Sequence, residues 1–364
     1  AWGSNARLGK GDWMVVEADE SDGSFVKLPA TIAVVTNIDA EHMDHYGTFD
    51  SLRASFDTFV ENVPFYGFAT LCIDDAEVQA MIPRVTDRKI ITYGLSPQAD
   101  IRVFNIRPSQ NGVRFDVIIS DRARDKKREL SDIFLPMHGV HNVQNALSVI
   151  AIANEMGISD LTFKKALAGF KGVERRFTKT GEVDGISIID DYGHHPAEIA
   201  AVIGAARTAS LGGRIIAVMQ PHRYTRLRDL FKEFCTCFNE ADVVVVAQVY
   251  SAGEEAIDGY NQDTLIEGLR SHGHRHVEPL ESEEALPHLI NRISFPGDMV
   301  VCLGAGSITH WANKLPSELK ALRQSSIAMS ASQKEGATQI IKDWLEDSPS
   351  DNNEETNSDD NKEE

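Results

Sequence analysis

An α/β protein of two domains and a tail is what the sequence predicts, from three observations. Short apolar, β-branched runs alternate with helix-patterned stretches in both halves of the chain. A basic junction, Lys171-Gly172-Val173-Glu174-Arg175-Arg176, interrupts that alternation once. The length of 364 residues, at 42% hydrophobic and 25% charged, exceeds one domain of usual size and suits two. The expected organisation is a central domain over residues 1–173, with a mostly parallel sheet and an antiparallel flank. A Rossmann-like, doubly wound domain over 174–326 and a helical or disordered acidic tail over 327–364 complete it.

In chain order, strands are expected at Trp13 to Val16, Thr31 to Ile38, Gly67 to Ile73 and Lys89 to Tyr93, where β-branched and apolar residues cluster. Asp100 to Arg107, Gly112 to Ser120 and Glu129 to Leu135 are joined by Pro-Ser-Gln-Asn and by the charged Asp121 to Arg128, which suits an antiparallel meander. A helix over His141 to Met156 stops at Gly157, as helices ending on a left-handed glycine do. Past the junction, strands are expected at Ile186 to Asp190, Arg214 to Met219, Asp242 to Gln248 and Asp298 to Leu303. Helices at Pro196 to Arg207, Thr225 to Phe238, Gln262 to His272 and Glu283 to Ile293 lie between them. From Ser348 the chain is Ser, Asn, Asp and Glu with one Pro, one Thr and one Lys. It cannot bury enough apolar surface to offset the entropy of ordering, so disorder is expected there.

The net charge of −19 is uneven: Ala331 to Glu364 hold 11 acids and 3 bases, which is −8 and leaves −11 for the rest. Nucleic acid is therefore not an expected partner. No apolar run reaches the roughly 18 residues that a membrane helix needs, and residues 1–4 lack the features of an export signal. Four scattered cysteines, Cys72, Cys235, Cys237 and Cys302, make no disulfide framework, so a reducing cytoplasm is expected. Residue 1 is Ala, and Gly3 to Gly9 read as mid-chain loop, so the chain is expected to be a fragment of a longer protein.

Chemistry concentrates at strand ends, where parallel sheets place their ligands. Glu17-Ala18-Asp19-Glu20-Ser21-Asp22 holds four carboxylates within six residues, and Asp39-Ala40-Glu41-His42-Met43-Asp44-His45 follows the next strand. Carboxylates with an imidazole suit Mg²⁺ or Mn²⁺ on a nucleotide, and acidic solvated loops are the alternative. Asn142 and Asn145 are i,i+3 neighbours at a helix start, able to contact a purine edge or a phosphate, or in the case of Asn142 simply to cap the helix. Arg175-Arg176 can clamp an anion between domains or pair on the surface. Asp190-Asp191-Tyr192-Gly193-His194-His195-Pro196 and Gln220-Pro221-His222-Arg223-Tyr224-Thr225-Arg226 leave successive strands, the second offering two arginines for a carboxylate. Gly304-Ala305-Gly306-Ser307 reads as a tight strand-to-helix turn, and no Gly-x-x-x-x-Gly-Lys-Ser/Thr phosphate loop is present.

Seven of these strings, in this order, resemble the Mur ligases of peptidoglycan synthesis. They are Glu-Ala-Asp-Glu-Ser-Asp (17–22), Thr-Asn-Ile (36–38), His-Met-Asp (42–44), His-Asn-Val-Gln-Asn-Ala (141–146), Arg-Arg-Phe (175–177), Asp-Asp-Tyr-Gly-His-His-Pro (190–196) and Gln-Pro-His-Arg-Tyr-Thr-Arg (220–226). The likeness runs from about residue 1 to 325. It implies the family's central ATPase domain, lacking its phosphate loop, followed by the domain that brings the amino acid. The UDP-sugar domain would be missing, and this polypeptide alone would be inactive.

The resemblance also implies a reaction and its residues. ATP activates the lactyl carboxylate of UDP-N-acetylmuramate as an acyl phosphate, and L-alanine attacks it to form an amide. By motif, Glu17 and His42 would hold Mg²⁺, Asn142 and Asn145 the nucleotide, Arg176 its phosphates and Asp191 its ribose. Tyr192, His194, His222, Arg223 and Arg226 would form the alanine pocket. Sister ligases carry a carbamylated lysine after His-Met-Asp, and Met43 to Val63 contains no lysine, which agrees with the alanine-adding branch. A ligase that recycles tripeptide onto UDP-N-acetylmuramate is the nearest alternative, and a non-catalytic nucleotide-binding module is the alternative of another class.

Overall fold

The computed structural model describes residues 6–109, 111–122, 124–325 and 338, with the side chain of Asp44 left aside. The expected tail lies almost entirely outside the described residues. Two six-stranded sheets organise the rest, and the fold is α/β.

The first sheet runs in sequence order through β1 (Ile32–Val35), β2 (Phe68–Cys72), β3 (Ile90–Gly94), β4 (Ile101–Ser109), β5 (Gly112–Asp121) and β6 (Lys126–Leu135). The first four strands are parallel, and β4, β5 and β6 form the antiparallel flank. Short α1 (Met43–Tyr46), then α2 (Phe49–Glu61) and α3 (Ala76–Met81), connect the early strands, and α4 (Val140–Glu155) and α5 (Asp160–Ala168) follow β6. Val143, Ala146, Leu147, Ile150 and Ala151 recur at helical spacing and are buried in one core with Ile91, Ile101 and Phe115. That packing fixes where the amino-terminal end of α4, with its two asparagines, emerges.

The second sheet has the order β11-β10-β9-β12-β8-β7. Its strands are β7 (Thr178–Val183), β8 (Ile186–Asp191), β9 (Ile215–Met219), β10 (Val243–Val246), β11 (Val277–Pro279) and β12 (Met299–Leu303). All are parallel except β7, which pairs antiparallel with β8. The helices are α6 (Pro196–Ala209), α7 (Tyr224–Asp229), α8 (Phe231–Phe234), α9 (Gln262–Ser271) and α10 (Leu286–Ile293), with a further helical run over 308–325. Strand β12, last in the chain, sits between β8 and β9, so the connections from those two strands diverge and leave a crevice at their carboxyl ends.

Two expectations are corrected. Trp13 to Val16 form no strand: residues 13–20 have no regular structure, and Val15 is 97% exposed. A strand needs a neighbour to take its N–H and C=O groups, and among the described residues β1 pairs only with β2. Thr225 to Phe238 is likewise not one helix, because Leu230 leaves helical geometry at φ −117° between α7 and α8, and helix ends at Phe234. Strands β7 and β11 and helix α5 add to the elements read from sequence.

Candidate active site where the two sheets meet

The site is built from the carboxyl end of β8. Asp190 and Asp191 are both buried there. One oxygen of Asp191 accepts the Gly193 N–H at 2.7 Å, and the other accepts the Phe177 N–H at 2.7 Å. Burial pushes this carboxyl up to about 6, against the opposing pull of those two donors. Tyr192 N–H adds a bond to the Arg175 carbonyl at 2.8 Å, so the junction is tied to the turn that opens α6. Pro196 begins that helix, with Glu198 accepting from the N–H groups of His194 at 3.1 Å and His195 at 3.3 Å.

Four rings stand in a row across the strand ends. Tyr192 meets His194 edge-on at 5.0 Å, His194 meets His222 at 5.8 Å, and His222 stacks on Tyr250 at 5.5 Å with 12° between planes. Arg175 lies over Tyr192 at 4.4 Å and donates to the Gly304 carbonyl at 3.2 Å. Arg176 instead reaches Glu198 at 3.2 Å. Arg226 approaches the His222 ring nitrogen and carbonyl, both at 3.4 Å. Among the described residues no carboxylate pairs with Arg223 or Arg226 within 4 Å, and Asp229 is taken by Arg228 at 2.7 Å. Burial lowers the pKa of His194, with Arg226 adding to it.

The first sheet supplies the facing wall. Glu41, in the loop after β1, places one carboxylate oxygen 3.7 Å from His42 and the other 3.7 Å from His195 across the junction. The Glu41 carboxylate also acts favourably on the Arg226 guanidinium, against the effect of its burial. His42 has Glu20 as a second carboxylate neighbour at 3.7 Å. Asn142 donates to the His138 carbonyl at 2.7 Å, and Asn145 is exposed one turn further along α4. The helix start needs Gly139: at φ 93° a Cβ there would lie 2.6 Å from the His141 ring and 3.0 Å from Ala205 of α6. His42 (φ 56°) and Arg223 (φ 71°) hold left-handed backbone without being glycine, a strain that clusters at functional loops.

The structure thus brings Tyr192, His194, His222 and Arg226 together and sets Arg223 exposed at the edge of the group. It places Arg176 and the buried Asp191 at the junction, each already engaged within the protein. Glu17 is exposed three residues before Glu20, and it is Glu20 and Glu41 that flank His42. Among the described residues no three His, Cys, Asp or Glu converge enough to hold a metal ion by themselves. The donor chemistry still fits Mg²⁺, which binds through one or two carboxylates with phosphate oxygens and water completing its shell. Sequence reading missed Glu41, Glu198 and Tyr250. Glu41 is legible as the neighbour of His42, and Glu198 as the third residue of a proline-led helix, but nothing local marks Tyr250.

A separate cavity of about 1420 Å³ lies against the antiparallel flank, lined in part by Arg122, Arg124, Arg128 and Lys89. These four cations already pair with Asp100, Asp121, Asp160 and Glu155, so the groove reads as a salt-bridged surface.

His222 carries a pH prediction. Burial, then the charge of His194 when it is protonated, and the guanidinium groups of Arg226 and Arg223, lower its pKa from 6.5 to about 4. Between those values the folded state binds fewer protons than the unfolded one. The stability that this supplies is present above about 6.5 and lost as pH falls towards about 4. His222→Gln is expected to flatten the fall in Tm over that interval, and a slope equal to that of the wild type would remove His222 as its source.

Such an arrangement, with titratable and cationic side chains gathered at strand ends between two sheets, is a candidate active site of an α/β enzyme. The chain belongs to the Mur ligase family: residues 5–153 match the Mur ligase middle domain, and 175–306 match the Mur ligase, glutamate ligase domain. It is 59% identical over 338 residues to the UDP-N-acetylmuramate--L-alanine ligase of Rhodospirillum centenum, covering 93% of this chain and 70% of that protein. The enzyme of that name from Rhodospirillum rubrum is 61% identical over 332 residues, covering 90% and 69%. The chain therefore spans about two thirds of these relatives' length. Among solved structures, the UDP-N-acetylmuramate-alanine ligase MurC of Thermotoga maritima aligns with a TM-score of 0.65 at 25% identity, covering 85% of this chain and 63% of that one. A murein peptide ligase from Psychrobacter arcticus shares the fold, with a TM-score of 0.55 at 20% identity, over 81% of this chain and 58% of that one.

Proposed function

We propose that this protein is an ATP-dependent ligase that joins L-alanine to UDP-N-acetylmuramate in cytoplasmic peptidoglycan precursor synthesis. Identity of 59–61% to relatives of that name supports the substrate pair. The observation that carries the chemistry is Arg226, partly buried beside neutral imidazoles and without a carboxylate partner among the described residues. Glu41 and Glu198 act on Arg226 only from a distance, and an amino-acid carboxylate would supply the direct contact.

In this reading Arg226, with Arg223 at the rim, binds the alanine carboxylate, and Tyr192, His194 and His222 enclose it. Both imidazoles are held neutral by burial, so the incoming amine meets hydrogen-bond acceptors rather than further cations. Glu17 and His42 would hold Mg²⁺, with Glu20 and Glu41 as nearby carboxylates, and the ion when bound would supply charge that offsets the phosphates. Asn142 and Asn145 contact the nucleotide, Arg176 exchanges Glu198 for its phosphates, and Asp191 orders the junction beside the ribose. A muramyl carboxylate oxygen bonds to the γ-phosphorus of ATP as the β–γ bridging P–O bond breaks and ADP leaves. The alanine nitrogen then bonds to the acyl carbon and gives up a proton, and the carbon–oxygen bond to phosphate breaks, releasing phosphate. The test is ADP release by the full-length protein with ATP, Mg²⁺, UDP-N-acetylmuramate and L-alanine. Release that requires both the sugar nucleotide and alanine is expected, and release indifferent to alanine contradicts the reading.

A further inference from the structure

Tyr250 leaves the end of β10 and is the fourth ring of the row, although no motif pointed to it. Its backbone is fixed on both sides: its N–H donates to the Pro221 carbonyl at 2.8 Å, and its carbonyl accepts the Arg223 N–H at 2.9 Å. That bridge extends the β9–β10 pairing past both strands and ties the ring to the arginine-bearing loop. One face of the ring stacks on His222. Its base lies against the turn after β12, where a Cβ on Gly306 would come 2.7 Å from Tyr250 Cγ and 2.5 Å from the Gln220 amide oxygen. Glycine at 306 is what lets the ring sit there, and the ring cannot withdraw towards that turn. Tyr250 nevertheless remains 41% exposed, beside His222 and the rim Arg223.

A ring stacked on one face, seated at its base against Gly306 and tied through its backbone to the loop of Arg223 is a rigid wall rather than an adaptable one. His222 beneath it is kept neutral, so the stacked pair offers an uncharged ring face to whatever extends from the bound carboxylate. We propose that Tyr250, seated on Gly306 and His222, sets the upper size limit for the side chain of the amino acid, and so selects a small one. This inference rests on the amino-acid pocket proposed above.

The test uses the full-length protein, as wild type, Tyr250→Phe, Tyr250→Ala and Tyr250→Leu, with kcat/KM measured for L-alanine, L-serine and L-valine by ADP release. Tyr250→Ala is expected to reduce the preference for alanine over valine at least tenfold. Tyr250→Phe, which keeps the ring, should retain it. If Tyr250→Ala does not fold, as judged by its melting curve, Tyr250→Leu carries the comparison, with a smaller reduction in the same direction. Preferences equal to that of the wild type in the folded ring-less variants overturn the inference and leave the alanine reading standing. A wild-type protein with no amino-acid-dependent turnover overturns the reading beneath it.

Discussion

Arg226→Met is expected to lower kcat/KM for L-alanine by ten- to a hundred-fold while leaving the protein folded. A charge-assisted hydrogen bond to a substrate carboxylate contributes about 1.5 to 3 kcal/mol, and each 1.4 kcal/mol is tenfold. The bonds that Arg226 makes within the protein are long, 3.4 Å to each of two atoms of His222, so removing it leaves no short internal bond broken. Asp229, three residues on in the same helix, pairs with Arg228, and methionine preserves much of the buried stem. The loss should fall on KM if the contact is made equally in ground and transition states, and on kcat if alanine is misplaced at the carbonyl. An unchanged kcat/KM with ATP and UDP-N-acetylmuramate saturating would take Arg226 out of the pocket.

Asp191→Ala should destabilise the protein by about 2 to 4 kcal/mol, read as a lower urea midpoint. Both carboxylate oxygens accept backbone N–H groups at 2.7 Å, and the residue is 2% exposed. Truncation strands two buried donors, each at about 1 to 3 kcal/mol. Part of this is offset, because burying the charged carboxylate is itself unfavourable, as its raised pKa records. Those donors belong to Phe177 of the junction and Gly193 of the site turn, so ligation should fall together with stability. A midpoint within error of that of the wild type would show that the junction does not depend on this side chain.

The fold was legible wherever composition and periodicity agreed with tertiary pairing. The apolar runs at 215–219, 243–246 and 299–303 are buried strands, as expected of strands covered on both faces, whereas the strand at 32–35 alternates and leaves Val34 exposed. Thr178-Lys179-Thr180-Gly181-Glu182-Val183 was not legible because an edge strand with a bulge at Thr180 needs little apolar alternation. Trp13 to Val16 failed in the opposite way, with strand-like residues but no neighbour to pair with among the described ones. At the site, the rule that ligands gather at strand ends located Tyr192, His194, His222 and Arg226. The link from Glu41 to His195 and the seat of Tyr250 on Gly306 join positions 154 and 56 residues apart, respectively. No local pattern encodes such distances.

The most direct test of the central claim gives the full-length protein ATP, Mg²⁺ and UDP-N-acetylmuramate with L-alanine and an alanine-led tripeptide present in equal amounts, and weighs the sugar-nucleotide product by mass spectrometry. The account predicts that UDP-N-acetylmuramate gains the mass of one alanyl residue. A product carrying the tripeptide instead, or no product at all, would contradict it.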